Sequence, residues 1–408
     1  MRKSALKLMS VLILVSMMLA ACAPAATPAP AAPAEPAAPA EPAAPAEPAA
    51  PAEPAAPAAT EKTVLNVWSF TNEILTMAIA FEAKHPDVDV VYTKIPMTNG
   101  EYQTKLMATL GTDQVPDVVA LEAAFVKSYV ESDFLADLGG LLDEAKAADT
   151  YPFVTDVGTA DGVTKAYAYQ ATPGALFYRR SLAKEYFGTD DPAKIQEILG
   201  DMDKYTAAAE VVKQKSNGNT YMVASNGDFM NLFYANREQP WVVDDTLTVD
   251  PMVEKMVATA KLFRDNGYEA KATQWQEGWF AGMNDTLVDA NGAPKQIFSY
   301  FLPTWGLPYV LAPHAKSADG AKDTTGDWAV ITGPLPYQRG GTWLGVMKET
   351  KKMDLATEFV RFCTLDEENL TNWATGVYTN EYLKAIDPTV PDDQQQAAGD
   401  FVSSQNVV

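Results

Sequence analysis

Residues 63–95 read TVLNVWSFTNEILTMAIAFEAKHPDVDVVYTKI, and the fold follows from how this stretch divides. Its opening, TVLNVWSF, is strand-like, with apolar residues at Val64, Val67 and Trp68 and branched neighbours. TNEILTMAIAFEAKHP then predicts a helix, with Thr71 or Asn72 as its cap and Pro86 beyond its end. DVDVVYTKI alternates polar and apolar residues, the pattern of a second strand. Strand, helix and strand in that order are the building unit of a parallel sheet flanked by helices.

The same alternation continues outward. GEYQTKLMATLGT predicts a helix and PDVVAL a third, wholly apolar strand. The pattern then restarts: KAYAYQ and GALFYRR are strands, the second running into the helix RRSLAKEYFG. Helices fill most of 192–214, TYMVAS is a strand, and QPWVVDDTLTVD reads as a small hairpin. PMVEKMVATAKLFRDNG is an amphipathic helix, with Pro251 near its start and Gly267 past its end. KQIFSYFL and DWAVITGP are further strands, and TWLGVM precedes the helix KMDLATEFVRFCT. Two α/β lobes result, with the chain crossing between them more than once.

Upstream, Arg2, Lys3 and Lys7 precede LMSVLILVSMMLAA, an apolar run too short to span a bilayer. Residues 1–21 therefore read as a secretory signal. Leu19-Ala20-Ala21-Cys22 resembles the bacterial lipobox, which implies cleavage before Cys22 and lipidation of its thiol; an ordinary cleavage beside an incidental cysteine is the plainer reading. Residues 22–61 read as a tether. Within them AAPAEP repeats four times over 31–54, with proline at every third position and nothing able to bury a core. At ~3.1 Å per residue such a spacer reaches on the order of 100 Å.

Roughly 345 residues remain for folding, as residues 62–408. The formal charge of −22 argues against nucleic acid and against anionic substrates, and is compatible with neutral ligands. Cys363, at the end of ATEFVRFC, reads as core and leaves no intrachain disulfide for the folded part. The two histidines, His85 at a helix end and His314 in a loop, form no metal-binding pattern, so neither a metal nor a cofactor is expected.

The order of LNVWSF…FEAKHPDVDVVY, VPDVVALE and AYAYQATPGALFYRRSLAKEYFG resembles the family 1 extracellular solute-binding proteins, the sugar receptors of bacterial ABC importers related to maltose-binding protein. GDWAVITGPLPYQRGGTWLGVMKETKKMDLATEFVRF resembles their later segment, and the similarity covers roughly residues 62–385. It implies a two-lobed periplasmic-binding-protein-like fold of type II, with the ligand between lobes joined by a hinge. The first lobe would hold about 62–170 and 342–385, the second about 175–335 and the C-terminal remainder. The family continues with further C-terminal helices, whereas DDQQQAAGDFVSSQNVV suggests none, so the ending reads as truncated or unusual.

A sugar has hydroxyls that need donors and acceptors, and C–H faces that pack on aromatic rings. Trp68, Phe70, Asn72 and Glu73 stand at the first strand-to-helix turn, beyond the strand end where α/β clefts take ligands; Trp68 also suits packing beneath the sheet. Glu122 ends the third strand, as a ligand contact or a solvated helix-start carboxylate. Tyr169, Gln170 and Thr172 mark the first crossing. Asn226 and Asp228 follow another strand, and Asp228 equally suits capping the next helix. In WQEGWF, Trp275 and Trp279 stand four apart, so a helix would place both on one face; the polar flanks favour an exposed platform at Trp279 over a core stripe. FLPTWGLPY resembles, imperfectly, the segment that supplies a stacking tryptophan in maltose receptors, which singles out Trp305. In RGGTW, Gly340 and Gly341 let backbone approach a ligand or form a tight turn, and Trp343 follows.

The expected function is thus a non-enzymatic, monomeric, lipid-anchored receptor on the extracytoplasmic face of the membrane. It would deliver a neutral sugar or oligosaccharide to an ABC permease. A receptor for a sugar phosphate, peptide or polyamine is the alternative. A secreted glycoside hydrolase is less favoured, since no local motif supplies its pair of carboxylates.

Overall fold

The structure, a computed structural model, describes residues 61–386 and Pro388. Cys22, the Ala/Pro/Glu run and the DDQQQAAGDFVSSQNVV ending lie outside the described residues. In chain order the principal strands are β1 (Thr63–Ser69), β2 (Val88–Lys94), β3 (Val118–Glu122), β4 (Ala166–Ala168), β5 (Gly174–Arg179), β6 (Thr220–Val223), β7 (Gln296–Pro303), β8 (Trp328–Ile331) and β9 (Thr342–Val346). They form two sheets, ordered β2-β1-β3-β9-β4 and β8-β5-β7-β6.

Each sheet is the floor of one lobe. In the first, β1 runs parallel to β2 and β3, as the opening strand–helix–strand unit requires. β9 is antiparallel to both β3 and β4. The expected parallel, helix-flanked sheet is formed by β1, β2 and β3, and β9 departs from it because it enters only after the chain has visited the second lobe and returns from the opposite end. The second sheet is mixed for the same reason: β7 is parallel to β6, and β5 is antiparallel to β7 and β8.

Helices cover the sheets by burying apolar stripes. The helix Glu73–Lys84 buries Ile74, Met77 and Phe81, and Phe81 meets Phe359 and Phe362 of the helix Met353–Leu365 edge-on at 5.1 and 5.3 Å. Cys363 lies fully buried in the same core, where burial pushes its thiol well up. In the second lobe Tyr178, Tyr205, Phe263, Phe298 and Phe301 fill the core. The Tyr205 hydroxyl is paired with Ser299 Oγ at 2.8 Å, so its polar end is not stranded. Asn72 makes no side-chain cap on its helix; its Oδ1 instead accepts from Lys94 Nζ at 2.6 Å. His314 ends the short helix Ala312–His314 rather than lying in a loop, and its ring stacks on Phe280 at 4.1 Å.

The chain passes from β4 to β5 through residues 169–173 and returns from β8 to β9 through residues 332–341. The two crossings are themselves paired. Pro173 bridges Gln338, Gly174 N donates to Tyr337 O at 2.8 Å, and Arg339 N donates to Thr172 O at 3.2 Å.

Candidate functional site

A cleft of about 550 Å³ lies beside these crossings. Phe70, Thr71 and Glu73 reach it from the turn after β1, and Glu122 from the end of β3. The first sheet thus presents its strand ends to the cavity, as open α/β sheets do. Trp275, Trp305, Tyr309 and Val310 line it from segments of the second lobe, and Gln170, Arg339, Gly340 and Gly341 from the crossings. A smaller cavity of about 170 Å³ shares Glu73, Gln170 and Trp305 and adds Tyr169, Thr304 and Trp373.

The aromatic surface is built from Trp275 and Trp305. Their rings are 16° from parallel with centroids 6.2 Å apart. Trp275 is 44 % exposed, and Trp305 anchors its Nε1 on Arg339 O at 3.0 Å. The Arg339 guanidinium lies 5.5 Å from the Trp275 ring centre and 5.7 Å from that of Trp305, within cation–π range. Its Nη2 donates to Gln274 Oε1 at 3.4 Å.

Two carboxyl residues line the same cleft. Burial pushes Glu73 up from the usual carboxylate range, against the opposing pull of its hydrogen bonds from Thr71 and Tyr309. Burial also raises Glu122, opposed by the Ala124 N–H at 2.7 Å and by the charge of Arg339. Burial lowers the Arg339 guanidinium, partly offset by the negative fields of Asp228 and Glu122. Gln170 Nε2 donates to Thr342 Oγ1 at 3.0 Å, and the same side-chain amide carries a carbonyl acceptor. The site therefore sets acceptors, donors and flat apolar rings around one volume. Among the described residues, no cluster of three or more His, Cys, Asp or Glu is placed to hold a metal ion.

Of the residues singled out from sequence, Phe70, Glu73, Glu122, Gln170 and Trp305 line the cleft and Tyr169 lines the smaller cavity. The others do not. Trp68 packs against the core around β3, and Thr172 is 1 % exposed. Asn226 spends its Nδ2 on Ala260 O at 3.0 Å.

Trp279 is corrected outright. It is fully buried, and its Nε1 donates to Asp228 Oδ1 at 2.7 Å. The helix begins only at Glu277, so Trp275 lies ahead of it and the two rings do not share a helical face. Asp228 is buried, its other oxygen accepting from Ser225 N at 3.0 Å at the start of the helix Gly227–Ala235. Trp343 is 5 % exposed and donates to Val154 O at 2.9 Å, as part of the first lobe's core. Sequence reasoning passed over Trp275, Tyr309 and Arg339 as site residues, although Trp275 lay in the motif that drew attention to Trp279.

The family model for bacterial extracellular solute-binding proteins matches residues 76–401. The chain belongs to this family. Membership makes it a binding protein working outside the cytoplasm. Solved solute-binding proteins share the fold. One described as extracellular solute-binding protein family 1 is 19% identical, with 85% of this chain and 88% of that chain covered at a TM-score of 0.61. The GacH receptor of Streptomyces glaucescens, solved unliganded and with acarbose, is 20% identical, covering 80% of this chain and 78% of its own at 0.55. An ABC transporter associated binding protein from B. animalis subsp. lactis, in complex with beta-1,6-galactobiose, is 21% identical, with 76% and 75% covered at 0.56. At such identities the likeness is one of fold. No curated protein sequence matches this solute-binding protein.

Proposed function

We propose that this chain is the ligand-capturing lipoprotein of an ABC importer, taking a neutral sugar or short oligosaccharide between its lobes. The observation that carries the reading is the Trp275–Trp305 pair lining one cleft with Glu73, Glu122 and Gln170. Indole faces suit the C–H faces of a pyranose, and the surrounding oxygens and amide suit its hydroxyls. An anionic ligand would need cations, and Arg339 is the one Lys or Arg side chain among the cleft-lining residues, lying in the field of Asp228 and Glu122. The sugar complexes of structurally similar proteins support the same class.

The site in this reading comprises Phe70, Glu73, Glu122, Gln170, Trp275 and Trp305, with Tyr309 and Arg339. Residues 169–173 and 332–341 form the hinge, and closure delivers the loaded form to a membrane permease. Cys22 carries the lipid, and the Ala/Pro/Glu run lets the receptor range from the membrane.

The test is a thermal-shift screen of the chain from Thr60 against neutral sugars, polyols, sugar phosphates, peptides and polyamines. A ligand that binds only the folded state raises the melting temperature by mass action. A shift with a neutral sugar is expected; shifts confined to charged compounds would replace the reading. For the anchor, Cys22→Ala is expected to release the protein from membranes, and continued retention would count against it.

A further inference from the structure

Trp275 has φ of +69°. For a bulky residue this left-handed conformation is an outlier, and it persists only where the surroundings hold it. Such strain gathers at ligand clamps, so what holds Trp275 in place matters to the site it forms.

The holding contacts converge on one side chain. Asp228 is 1 % exposed. Its Oδ1 accepts from Trp279 Nε1 at 2.7 Å and from Gln274 Nε2 at 3.4 Å. One carboxylate oxygen thus grips the residue before Trp275 and the indole four residues after it. Trp279 packs directly against Trp275, with ring centroids 5.1 Å apart. Gln274 in turn accepts from Arg339, which lies over both Trp275 and Trp305. Oδ2 is occupied by Ser225 N, which fixes the carboxylate to the start of its own helix. A backbone helix cap alone would need only that last contact.

We infer that Asp228 is the positioning residue of the aromatic platform: by gripping Gln274 and Trp279 it holds the intervening segment so that Trp275 lies parallel to Trp305 beneath Arg339. Asp228 does not touch the cavity and acts only through these neighbours. The inference deepens the sugar-receptor reading, because the platform it holds is the surface that reading assigns to the ligand.

The test is run without ligand, so it can fail independently of the sugar reading. Two indoles stacked this closely couple excitonically, and circular dichroism in the indole band reports their mutual geometry. Because Trp279 also lies against Trp275, the contribution of the Trp275–Trp305 pair is defined on the whole protein as the signal lost in Trp305→Phe. Asp228→Ala is expected to lose the same signal while keeping a native far-ultraviolet spectrum and a cooperative melt. Asp228→Asn, which keeps one acceptor for Trp279 Nε1 and gives up the contact with Ser225 N, is expected to restore it. Trp279→Phe, which removes the donor and retains an aromatic core residue, repeats the loss should Asp228→Ala not fold. Retention of the couplet in a folded Asp228→Ala or Trp279→Phe variant overturns the inference. Equal loss in Asp228→Asn and Asp228→Ala overturns it too, since a bond to Trp279 that Asn preserves would then not be what holds the platform.

Discussion

Tyr309 donates its hydroxyl to Glu73 Oε2 at 2.9 Å, joining two residues 236 apart in the chain. Glu73 opens the helix after β1 and is 4 % exposed. Tyr309 follows β7 and packs against the cores of both lobes. The bond therefore ties the lobes together beside the cleft. Because burial raises Glu73, the ionised carboxyl is the costly form, and Tyr309 is one of the groups that offsets this cost. Hydrogen bonds to charged groups are worth about 1.5–3 kcal/mol, and neutral ones about 0.5–1.5. Tyr309→Phe is expected to cost more stability at neutral pH than near pH 4, where the carboxyl is protonated. Urea unfolding at the two pH values checks this, and an equal loss at both would place the ionised form outside the contact.

Most of the backbone was legible because it depends on neighbours in sequence. The apolar spacing of 63–95 dictates β1, its helix and β2, and the two-lobed architecture follows from the restart of that pattern after KAYAYQ. The errors fell where distant partners decide. Whether Trp275 or Trp279 faces the cavity depends on a buried acceptor 51 residues away, at Asp228. Trp343 misled for another reason. All five residues of β9 are buried, because this strand is central and covered on both faces. Alternation then says nothing about which side chains reach a cleft. Arg339 carries no local signal of its role, which comes from its placement over the indoles of Trp275 and Trp305.

That distinction separates the tryptophans experimentally. Trp275→Ala and Trp305→Ala remove stacking surface from the cavity wall and are expected to weaken binding of the sugar found by thermal shift by about 2 kcal/mol, roughly thirtyfold. Trp343→Ala instead opens a hole in the first lobe's core and is expected to cost about 3–5 kcal/mol of folding stability. Isothermal titration and urea unfolding on the same three variants resolve the two effects. A Trp305→Ala variant that binds normally would remove this residue from the ligand surface.

Asp228 also gives the fold a pH dependence of determinate sign. Burial pushes its carboxyl up to about 7, against the pull of Trp279, of backbone N–H groups and of Arg339. The phenols of Tyr205, Tyr300 and Tyr337 feel the same charge. With the folded value above the unfolded one, the folded state holds the extra proton between about pH 4 and about 7. The stabilising contribution is full below that window and is lost as pH rises through it. Wild-type melting temperature is therefore expected to fall relative to Asp228→Asn across the window. A difference that stays constant would show that Asp228 does not titrate there.

Gly340 tests whether backbone shape at the second crossing positions Trp305. Its φ is +83°, and an added Cβ would lie 2.8 Å from Trp305 Nε1 and 3.7 Å from Glu122 Oε1. Gly320 is a matched control: its φ is +70°, and the nearest atom to an added Cβ is the mobile Lys316 Cε at 3.5 Å. Both alanine substitutions incur the left-handed penalty of about 1–2 kcal/mol. Only Gly340→Ala also pushes on the indole whose Nε1 donates to Arg339 O. It is therefore expected to weaken sugar binding about tenfold, or about 1.4 kcal/mol, while Gly320→Ala binds as wild type. Calorimetric titration of both variants, beside their unfolding curves, separates strain from displacement. If the two lost stability alike and bound alike, the glycine at 340 would serve the turn alone and Trp305 would be held from its own side of the cleft.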